Sequence, residues 1–410
     1  MKKIKLALHW QILIAIFLGA FFGYYFAEQV GYVDWLGVMF MRALKMIVVP
    51  LVFCSVVCGV ASVSASDGFF RLGGKTLTYY LVTCFLAILT GMFLVDVIKP
   101  GEGLDIQLPE TATATAIATT QMTLRDFLIN IIPDNIFNAF ASMNMLGIIV
   151  FAILFGIFLG KSKHPNVPKV QQLIEAMNDV ILQLTMFIIK LAPIGIFGLI
   201  ASVVANEISS TEKLQQMLET QGLYLLTVLL GIAFHMFVTL SIMLYVMGKI
   251  NPFKHLHRMR DVILMAFSTA SSSGTLPLTI SHVKSRCGVS EKLANFSLPL
   301  GMTINMNGTS LYEGVVILFL AQVYDIDLSL TQQLFVMVMS LMVGIGSAGI
   351  PMASLVMTVI VIQMVGLPSE SIGLILLVDR FADMARTSLN VYADTVATVL
   401  VAKSEKEILL

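Results

Sequence analysis

Six long apolar stretches dominate the first part of the chain. They cover residues 8–26, 36–62, 76–98, 144–160, 179–205 and 222–248. An α-helix needs roughly 20 apolar residues to cross the hydrocarbon core of a bilayer, and each stretch is close to that length or longer. The pattern therefore predicts six membrane-spanning helices, with a long, threonine-rich polar loop at 100–143.

The apolar pattern changes after residue 250, where clusters of serine, glycine and proline interrupt it. These clusters are STASSSGTLP at 268–277 and GIGSAGIP at 344–351. Each lies within an apolar stretch whose two ends carry charges of the same sign. The flanking charges are Lys254, Arg260, Lys284 and Arg286 for the first cluster, and Asp325, Asp327 and Glu370 for the second.

A stretch that enters and leaves a membrane on one side is a re-entrant hairpin. Its non-helical tip is tolerated at membrane depth only where it lines a cavity or is buried in protein. We therefore expect two hairpins, near 258–292 and 331–366, that enter from opposite sides as an inverted repeat. Alternatively, the two clusters are kinks in ordinary spanning helices.

A third irregular segment lies in the apolar stretch 293–322, which contains TINMNGTSLYEG. Asn305, Asn307, Gly308 and Thr309 stand halfway along it, and we expect them to break the helix there. Unwound backbone presents carbonyl oxygens, which suit small cations that have lost their water shell. This segment is therefore a candidate cation site.

The last predicted helix, 372–402, carries charged and polar groups among leucine, valine and alanine. Spacings of three and four residues place these groups on one stripe; they are Asp379, Asp383, Arg386, Asn390 and Asp394. An ionised group at the bilayer centre costs at least about 2.5–3.5 kcal/mol, so the stripe should face a protein-lined cavity. Arg386 suits a carboxylate and Asp383 an ammonium group. The alternative is a ladder of salt bridges that only holds helices together.

Composition agrees with a membrane protein. Apolar residues make up 57% of the chain and charged residues 12%, which leaves too little polar surface for a soluble domain. The net charge is zero, so nucleic acid is not an expected partner. Basic residues concentrate in alternate connections, among them Lys2, Lys3, Lys5, Arg71, Lys75, Lys161, Lys163, Lys169, Lys249 and Arg258. By the positive-inside rule the N-terminus is cytoplasmic.

Two other classes of protein fit the sequence poorly. An aspartyl dyad needs two carboxylates that converge from different helices, whereas Asp379 and Asp383 lie one turn apart on one helix. Ser273, before Gly274, lacks a convincing histidine partner on another helix. A channel would use unwound carbonyls but not a buried carboxylate clamp. We therefore expect a carrier and not an enzyme.

Five motifs carry a family resemblance that runs nearly end to end. They are RALKMIVVPLVF at 42–53, SSSGTLP at 271–277, NMNGT at 305–309, GSAGIP at 346–351 and DMARTSLNVYAD at 383–394. With them the sequence resembles the dicarboxylate/amino acid:cation symporter family, which includes glutamate transporters.

The resemblance implies an all-α polytopic protein with eight transmembrane helices, two re-entrant hairpins and inverted repeats. It implies a homotrimer in the inner (plasma) membrane, with both termini cytoplasmic. A scaffold domain (8–62 and 144–205) would hold a transport domain (75–98 and 222–402) that slides like an elevator. No cofactor is implied beyond the coupling ions, sodium and protons.

The resemblance also assigns roles by position. For the substrate, they fall on Arg386 as clamp of the side-chain carboxylate, Asp383 as amino-group ligand, and Thr309, Thr387, Asn390, Ser272 and Ile350 as further contacts. For sodium, they fall on Gly301, Asn305, Asn390 and Asp394; on Thr303, Met306, Gly344, Ile345 and Ser347; and on Tyr80, Thr83, Cys84, Asn305 and Asn307.

The chain departs from the family pattern at several of these positions. Asn307 stands where an aspartate is usual, and Cys84 where a serine is common, so the third sodium site should be weak, because sulfur is a poor ligand for a hard cation. Glu313 matches a glutamate that carries a proton in animal members. Its alternative role is a structural hydrogen bond.

A family arginine is also missing from its two usual places. Those places hold Ala270 and Met384 here, and Arg380, one turn from Met384, is the candidate replacement. Asp383 favours an amino acid over a C4-dicarboxylate, since a carboxylate repels a second carboxylate and attracts an ammonium. Neutral amino acids would leave Arg386 uncompensated. We expect a symporter of glutamate or aspartate coupled to sodium, with Glu313 as candidate proton carrier; a C4-dicarboxylate:cation symporter and a purely proton-coupled symporter are the alternatives.

Overall fold

The computed structural model describes residues 8–64, 70–104, 125, 129, 132–207, 211–346, 349, 353–364, 367 and 371–410. Within these ranges all regular structure is helical and there is no strand, which confirms the all-α prediction. The α-helices are α1 (Leu8–Tyr25), α2 (Asp34–Ser64), α3 (Phe70–Ile98), α4 (Ile136–Ala141), α5 (Met145–Lys161), α6 (Val167–Lys190), α7 (Ala192–Glu207), α8 (Thr211–Phe234), α9 (Leu240–Gly248), α10 (Pro252–Thr269), α11 (Ser272–Cys287), α12 (Glu291–Ile304), α13 (Asn307–Val323), α14 (Leu330–Gly346), α15 (Ala353–Met364) and α16 (Ile372–Ser404). A 3₁₀ helix covers Ala27–Tyr32 and a π-helix covers His235–Thr239.

Several of these helices have the length and composition of membrane spans. Among the described residues, four helical segments are long and apolar enough to cross a bilayer: Asp34–Ala61, Leu72–Ile98, Val167–Lys190 and Gln215–Gly248. Shorter apolar helices cover Trp10–Tyr25, Leu146–Lys161, Ala192–Ala205 and Leu330–Ile345. This set is that of a helical membrane protein.

The stretch 179–205, predicted as one span, is divided in the structure. α6 ends at Lys190 and α7 begins at Ala192, with Leu191 in a turn between them. Pro193 stands at the second position of α7, where its missing N–H and its ring disfavour a helix that continues from α6. An apolar run alone does not reveal such a break.

The helices near the N-terminus pack closely on one another. α1 lies along α7, and α2 contacts α5, α6 and α7. Glycines permit the close approach of α1 to α7, as is common between membrane helices. A Cβ atom on Gly19 would lie 2.7 Å from the carbonyl oxygen of Phe197, and one on Gly23 would collide with the carbonyl oxygen of Ala201.

α13 and α16 form the centre of the remaining helices. α13 packs against α3, α14 and α16, while α16 also packs against α8, α10, α11 and α12. Every residue of α13 except Gln322 is buried, and α16 is buried without interruption from Ala385 to Ala402. Polar side chains on these two helices are therefore held inside the protein.

The predicted break in the stretch 293–322 is confirmed. α12 ends at Ile304 and α13 begins at Asn307, which leaves Asn305 and Met306 outside helical geometry. Their side chains are nevertheless fully buried. The break thus places unwound backbone in the interior, next to α16.

Two helical pairs occupy the regions predicted as hairpins. In the first, only Ala270 and Ser271 separate α10 from α11, and Ala270 has a left-handed φ of 48°. The remaining serines of the cluster are helical because the Ser271 hydroxyl caps α11, accepting a hydrogen bond from Gly274 N–H at 3.1 Å. The second pair is α14 and α15; between them the structure describes only Gly349.

We predict that Gly23→Ala lowers the stability of the protein by about 1–3 kcal/mol, because the added methyl group overpacks the contact between α1 and α7. Gly222→Ala is the matched control, since a Cβ atom at Gly222 on α8 meets nothing within 4 Å and alanine favours a helix. Thermal unfolding in detergent measures both variants. Equal unfolding temperatures would contradict the close packing of α1 on α7.

Candidate functional site

The two hairpin tips meet through a single backbone carbonyl group. The Gly349 oxygen accepts hydrogen bonds from Ser273 N–H at 3.0 Å, from the Ser273 hydroxyl at 2.8 Å and from the Ser271 hydroxyl at 3.2 Å. Gly349 belongs to the second tip and the serines to the first. The serine cluster predicted from the sequence therefore joins the tips in this structure.

A small cavity lies beneath the joined tips. It is lined by Ala270, Ser272, Met306, Thr309, Gly349, Ser354, Asp383, Arg386, Thr387 and Asn390. Six of these are predicted substrate contacts, drawn from α11, α13 and α16. The cavity volume is about 20 Å³, enough for a water molecule but far too small for an amino acid. A larger ligand needs a wider cavity than the one present in this structure.

The N-terminus of α11 points into this cavity. Ser272 is its first helical residue and is buried. N–H groups in the first turn of a helix have no intrahelical acceptor, and the helix dipole adds partial positive charge. This end of α11 is therefore suited to an anionic group.

Arg386 is almost fully buried, with 1% of its surface exposed. Its Nη1 lies 3.2 Å from Asp379 Oδ1 and its Nη2 lies 3.1 Å from Asp383 Oδ1. The guanidinium group stacks 4.1 Å from the ring centre of Tyr312, whose hydroxyl donates to Asp379 at 2.7 Å. The predicted stripe of charges thus pairs internally, as the salt-bridge alternative requires, and also lines the cavity, as a binding site requires.

Arg380 provides a second positive charge at the same carboxylate. Its Nη1 lies 3.2 Å from Asp383 Oδ2, and its side chain is 14% exposed. Asp383 is therefore held between Arg380 and Arg386. Ala270 and Met384 cannot supply such a charge. In the described structure, Arg380 is therefore the second arginine next to Asp383, beside Arg386.

Asn390 connects α16 to the start of α13. Its Oδ1 accepts hydrogen bonds from Gly308 N–H at 2.6 Å and Thr309 N–H at 3.3 Å, and its Nδ2 donates to the Thr309 hydroxyl at 3.2 Å. Asn390 therefore caps a helix as well as lining the cavity. The Thr387 hydroxyl donates to the Asp383 carbonyl at 2.7 Å.

Close approach of backbone to backbone fixes this arrangement. A Cβ atom on Gly308 would lie 2.8 Å from the Arg386 Cα. Any larger residue at position 308 would push α13 away from α16 and open the hydrogen bonds that Asn390 makes. The close approach of the Arg386 backbone therefore explains why the NMNGT motif has a glycine at position 308.

The first predicted cation set converges beside the broken helix. The Asp394 carboxylate accepts a hydrogen bond from Asn305 Nδ2 at 2.9 Å. A Cβ atom on Gly301 would lie 2.8 Å from the Asp394 Cγ, so only glycine admits the carboxylate there. One carboxylate beside carbonyl groups at the C-terminal end of α12 is a donor set of hard oxygens with negative charge. These residues fit a small cation.

The second predicted set is described only in part. Gly344 and Ile345, at the end of α14, are buried, and a Cβ atom on Gly344 would collide with the Ser310 hydroxyl. The Met306 carbonyl accepts from Ser310 N–H at 2.8 Å, and the Thr303 hydroxyl donates to the Leu300 carbonyl at 2.9 Å. Two predicted residues, Ser347 and Ile350, lie outside the described residues.

The third predicted set does not fit a cation. Asn305 Oδ1 accepts hydrogen bonds from Asn307 Nδ2 at 2.6 Å and from the Thr83 hydroxyl at 3.1 Å, with the Cys84 sulfur at 3.8 Å. The Tyr80 hydroxyl donates to the Ser297 carbonyl at 2.7 Å. The two side-chain oxygens of the asparagine pair thus already accept hydrogen bonds, since Asn307 Oδ1 lies 3.2 Å from His235 Nε2.

Glu313 lies on the buried face of α13 that meets α15. Its Oε1 accepts a hydrogen bond from the Thr358 hydroxyl at 2.8 Å, and its Oε2 makes no hydrogen bond among the described residues. A carboxyl group with one unpartnered buried oxygen is suited to hold a proton. The observed bond to Thr358 is also what the structural alternative requires.

Sequence reasoning missed three residues that complete these clusters. Tyr312, Thr358 and His235 each lie on a different helical segment from the group that they contact. Each is also an ordinary residue type within an apolar stretch. No spacing in the sequence marks Thr358 or His235. Tyr312 stands four residues after Gly308 on the same helix, and that spacing was a usable signal.

The known proteins that are similar to this chain are named as symporters. The model of the sodium:dicarboxylate symporter family matches residues 8–404. The chain is 34% identical to the proton/glutamate-aspartate symporter of Bacillus subtilis (strain 168), over 99% of this chain and 96% of that protein. It is 32% identical to the proton/glutamate-aspartate symporter of Escherichia coli (strain K12), over 99% and 94%.

A further relative is named for sodium as well as protons. The proton/sodium-glutamate symport protein of Bacillus caldotenax is 32% identical, over 99% of this chain and 96% of that protein. Similarity of this extent, together with a buried charged stripe facing a broken helix and two joined hairpin tips, shows that the chain belongs to the sodium:dicarboxylate symporter family.

Proposed function

We propose that this protein is a secondary active symporter that takes up glutamate or aspartate together with sodium ions, with a proton carried on Glu313. The observation that supports it most directly is Asp383 beside Arg386 at the wall of one small cavity. Relatives named as glutamate-aspartate symporters support the same substrate class.

Recognition would rest on an exchange of ion-pair partners. Arg386 now pairs with Asp379 and Asp383. A substrate carboxylate would take up the guanidinium fork as a bidentate partner. Asp383, relieved of Arg386, would then accept the substrate ammonium group. The N–H groups at the start of α11 would bind the second carboxylate, so that all three charged groups of the substrate are compensated.

Access to the cavity would depend on the second tip. The Gly349 carbonyl releases the first tip if its three hydrogen bonds to Ser271 and Ser273 break. Glycine takes backbone angles that other residues cannot, and Gly344, Gly346 and Gly349 all lie in this segment. The segment 344–351 would therefore act as the lid, while the short, capped tip at Ala270 and Ser271 would stay in place.

Sodium coupling would use two sites. Gly301, Asn305, Asn390 and Asp394 would hold one ion, and Thr303, Met306, Gly344, Ile345 and Ser347 the other. A bound sodium ion supplies the positive charge that a buried carboxylate at Asp394 requires. The Asn305 and Met306 backbone lies between the two sets, so both would depend on the break between α12 and α13.

The quaternary and membrane arrangement belongs to the same proposal. The chain would form a homotrimer in the inner membrane, with a scaffold of 8–62 and 144–205 and a transport domain of 75–98 and 222–402. The close packing of α1 and α2 on α5, α6 and α7 supports this division. The hairpins α10–α11 and α14–α15 would enter the membrane from opposite sides and move with the transport domain.

A C4-dicarboxylate is the second candidate substrate. Both Arg380 and Arg386 pair with Asp383, so two guanidinium groups flank that carboxylate, and Arg386 is the one that lines the cavity. Two arginines could bind the two carboxylates of such a substrate if both released Asp383 and the Arg380 side chain turned into the cavity. The amino-acid proposal requires instead that Asp383 faces the ligand.

We expect proteoliposomes to take up radiolabelled aspartate and glutamate faster than succinate under an inward sodium gradient. An inward proton gradient should add to the rate, and Glu313→Gln should remove that increment, because an amide carries no exchangeable charge. Thr358→Val is the control, since it removes the partner of Glu313 but not the carboxyl group. Uptake indifferent to sodium but driven by protons would refute sodium coupling, and faster succinate uptake would favour the dicarboxylate.

We predict that Arg386→Cys abolishes aspartate and glutamate binding while permitting weak binding of serine or alanine. Loss of a buried, charge-assisted pair costs about 2–5 kcal/mol. Isothermal titration measures the affinities. Arg286→Cys is the control, because Arg286 is half-buried and pairs with Asp261 at 2.8 Å away from the cavity. Unchanged aspartate affinity in Arg386→Cys would contradict the clamp.

We predict that Asp383→Asn weakens aspartate binding far more than succinate binding, because only aspartate presents an ammonium group. Asp379→Asn offers a matched comparison. It removes a carboxylate from the same cluster, yet Asp379 is not among the residues that line the cavity, so it should alter both affinities alike. Equal loss of aspartate and succinate binding in Asp383→Asn would exclude Asp383 as the amino-group ligand.

A further inference from the structure

A chain of side-chain hydrogen bonds runs from His235 to Asp394. His235 Nε2 lies 3.2 Å from Asn307 Oδ1, Asn307 Nδ2 lies 2.6 Å from Asn305 Oδ1, and Asn305 Nδ2 lies 2.9 Å from Asp394 Oδ1. The exposed fraction is 0% for His235, Asn305 and Asn307 and 4% for Asp394. The four residues belong to four different segments of the fold.

The direction of every bond in this chain follows from an ionised carboxylate at Asp394, which can only accept hydrogen bonds. Asp394 is an acceptor, so Asn305 must present its amide nitrogen to Asp394 and its oxygen to Asn307. Asn307 must then present its nitrogen to Asn305 and its oxygen to His235. An amide oxygen can only accept, so His235 Nε2 carries the hydrogen. All donors thus point towards the buried carboxylate, and such aligned bonds strengthen one another.

This direction engages both asparagine side-chain oxygens of the family's third cation site. The oxygens of Asn305 and Asn307 are the ones that would coordinate a cation, and both accept hydrogen bonds from protein donors. The Thr83 hydroxyl also donates to Asn305 Oδ1. A cation would have to displace these donors, and it would gain no carboxylate in return.

His235 reaches Asn307 from an irregular turn. It begins the π-helix His235–Thr239, which interrupts the otherwise continuous helix of α8 and α9. Single π-helical turns within α-helices occur frequently at functional sites. The Nδ1 atom of His235 makes no hydrogen bond among the described residues, so within that part of the chain the side chain is held by its contact with Asn307.

We propose that His235 and Asn307 together close the third cation site, so that hydrogen-bond donors of the protein occupy the place of an ion and the transporter couples to fewer cations. His235 is thus a residue that determines ion coupling, although it binds neither substrate nor ion. The inference rests on the proposed cation-coupled symport and extends it to a residue outside every predicted site.

The two residues should act together, which distinguishes closure by His235 from the simple absence of a carboxylate. Asn307→Asp restores the charge but leaves His235 donating into one carboxylate oxygen. His235→Ala alone frees the Asn307 oxygen but restores no charge. Only Asn307→Asp combined with His235→Ala provides both charge and free oxygens.

The test compares sodium dependence in these variants with two readouts. One is the unfolding temperature of the detergent-solubilised protein in sodium chloride against choline chloride, which needs no substrate. The other is the Hill slope of sodium in aspartate binding, which rises with the number of coupled sites. We expect a slope nearer two than three for the unmodified protein and for His235→Ala, and a steeper slope for Asn307→Asp.

The double variant should approach a slope of three and need about tenfold less sodium than Asn307→Asp for the same gain in unfolding temperature, because one hydrogen bond to a charged group is removed. Asn307→Asp with His235→Gln, which keeps a donor, should resemble Asn307→Asp. Asn307→Asp with His255→Ala is the matched control, since His255 is an equally buried histidine that bonds Thr395 at 3.0 Å.

A slope of three in the unmodified protein would overturn the inference, even if the double variant did not fold. So would a sodium response of Asn307→Asp that is the same with and without His235. The proposed function fails by a separate result, namely that the unmodified protein binds neither aspartate nor glutamate.

Discussion

The cost of burying charge governs this structure. Arg386 is placed deep within helices of a membrane protein, where an unpaired guanidinium would be severely destabilising. Asp379 and Asp383 neutralise it, Tyr312 provides a ring face, and Arg380 balances the second carboxylate. The charges of the cluster are thus paired within the protein, although Arg380 Nε makes no hydrogen bond among the described residues. A ligand that enters must therefore replace ion pairs with others of similar quality, and this requirement selects for a substrate that carries both a carboxylate and an ammonium group.

The break between α12 and α13 is the second constraint, because it places unwound backbone next to the charged stripe of α16. Asn305 and Met306 leave helical geometry in the interior, so their backbone groups become available next to α16. Gly308 lets α13 approach the backbone of Arg386, and Asn390 then caps the new helix start. In the proposed sites, substrate-facing and cation-facing groups share the same few residues. Coupling between ligand and ions would then have a direct structural basis, since neither could shift Asn390 without affecting the other.

The amide of Asn307, at a position where the family pattern has a carboxylate, affects the contacts of its neighbours Asn305 and His235 as well. A carboxylate would need a cation, but an amide can both donate and accept, and here it links Asn305 to His235. The polar network that remains is neutral apart from Asp394, to which every donor in the chain points. Membrane interiors penalise unsatisfied polar groups. In the closed site that we propose, internal hydrogen bonds take the place of an ion, and among the described residues His235 Nδ1 is the buried side-chain atom of this network that has no partner. Changes in ion coupling within such a fold can therefore arise from a pair of residues that compensate each other.

The sequence by itself determined the apolar spans, the break near NMNGT, the hairpin regions and the polar stripe of the last helix, because each depends on local composition and on the 3.6-residue period. It did not reveal the turn at Leu191, since a long apolar run reads the same with or without a break. Only the tertiary structure decided that the tips join through the Gly349 carbonyl, that Arg386 stacks on Tyr312, and that His235 reaches Asn307. Those contacts join segments far apart in the chain, and their geometry follows from helix packing, which no pattern along the sequence encodes.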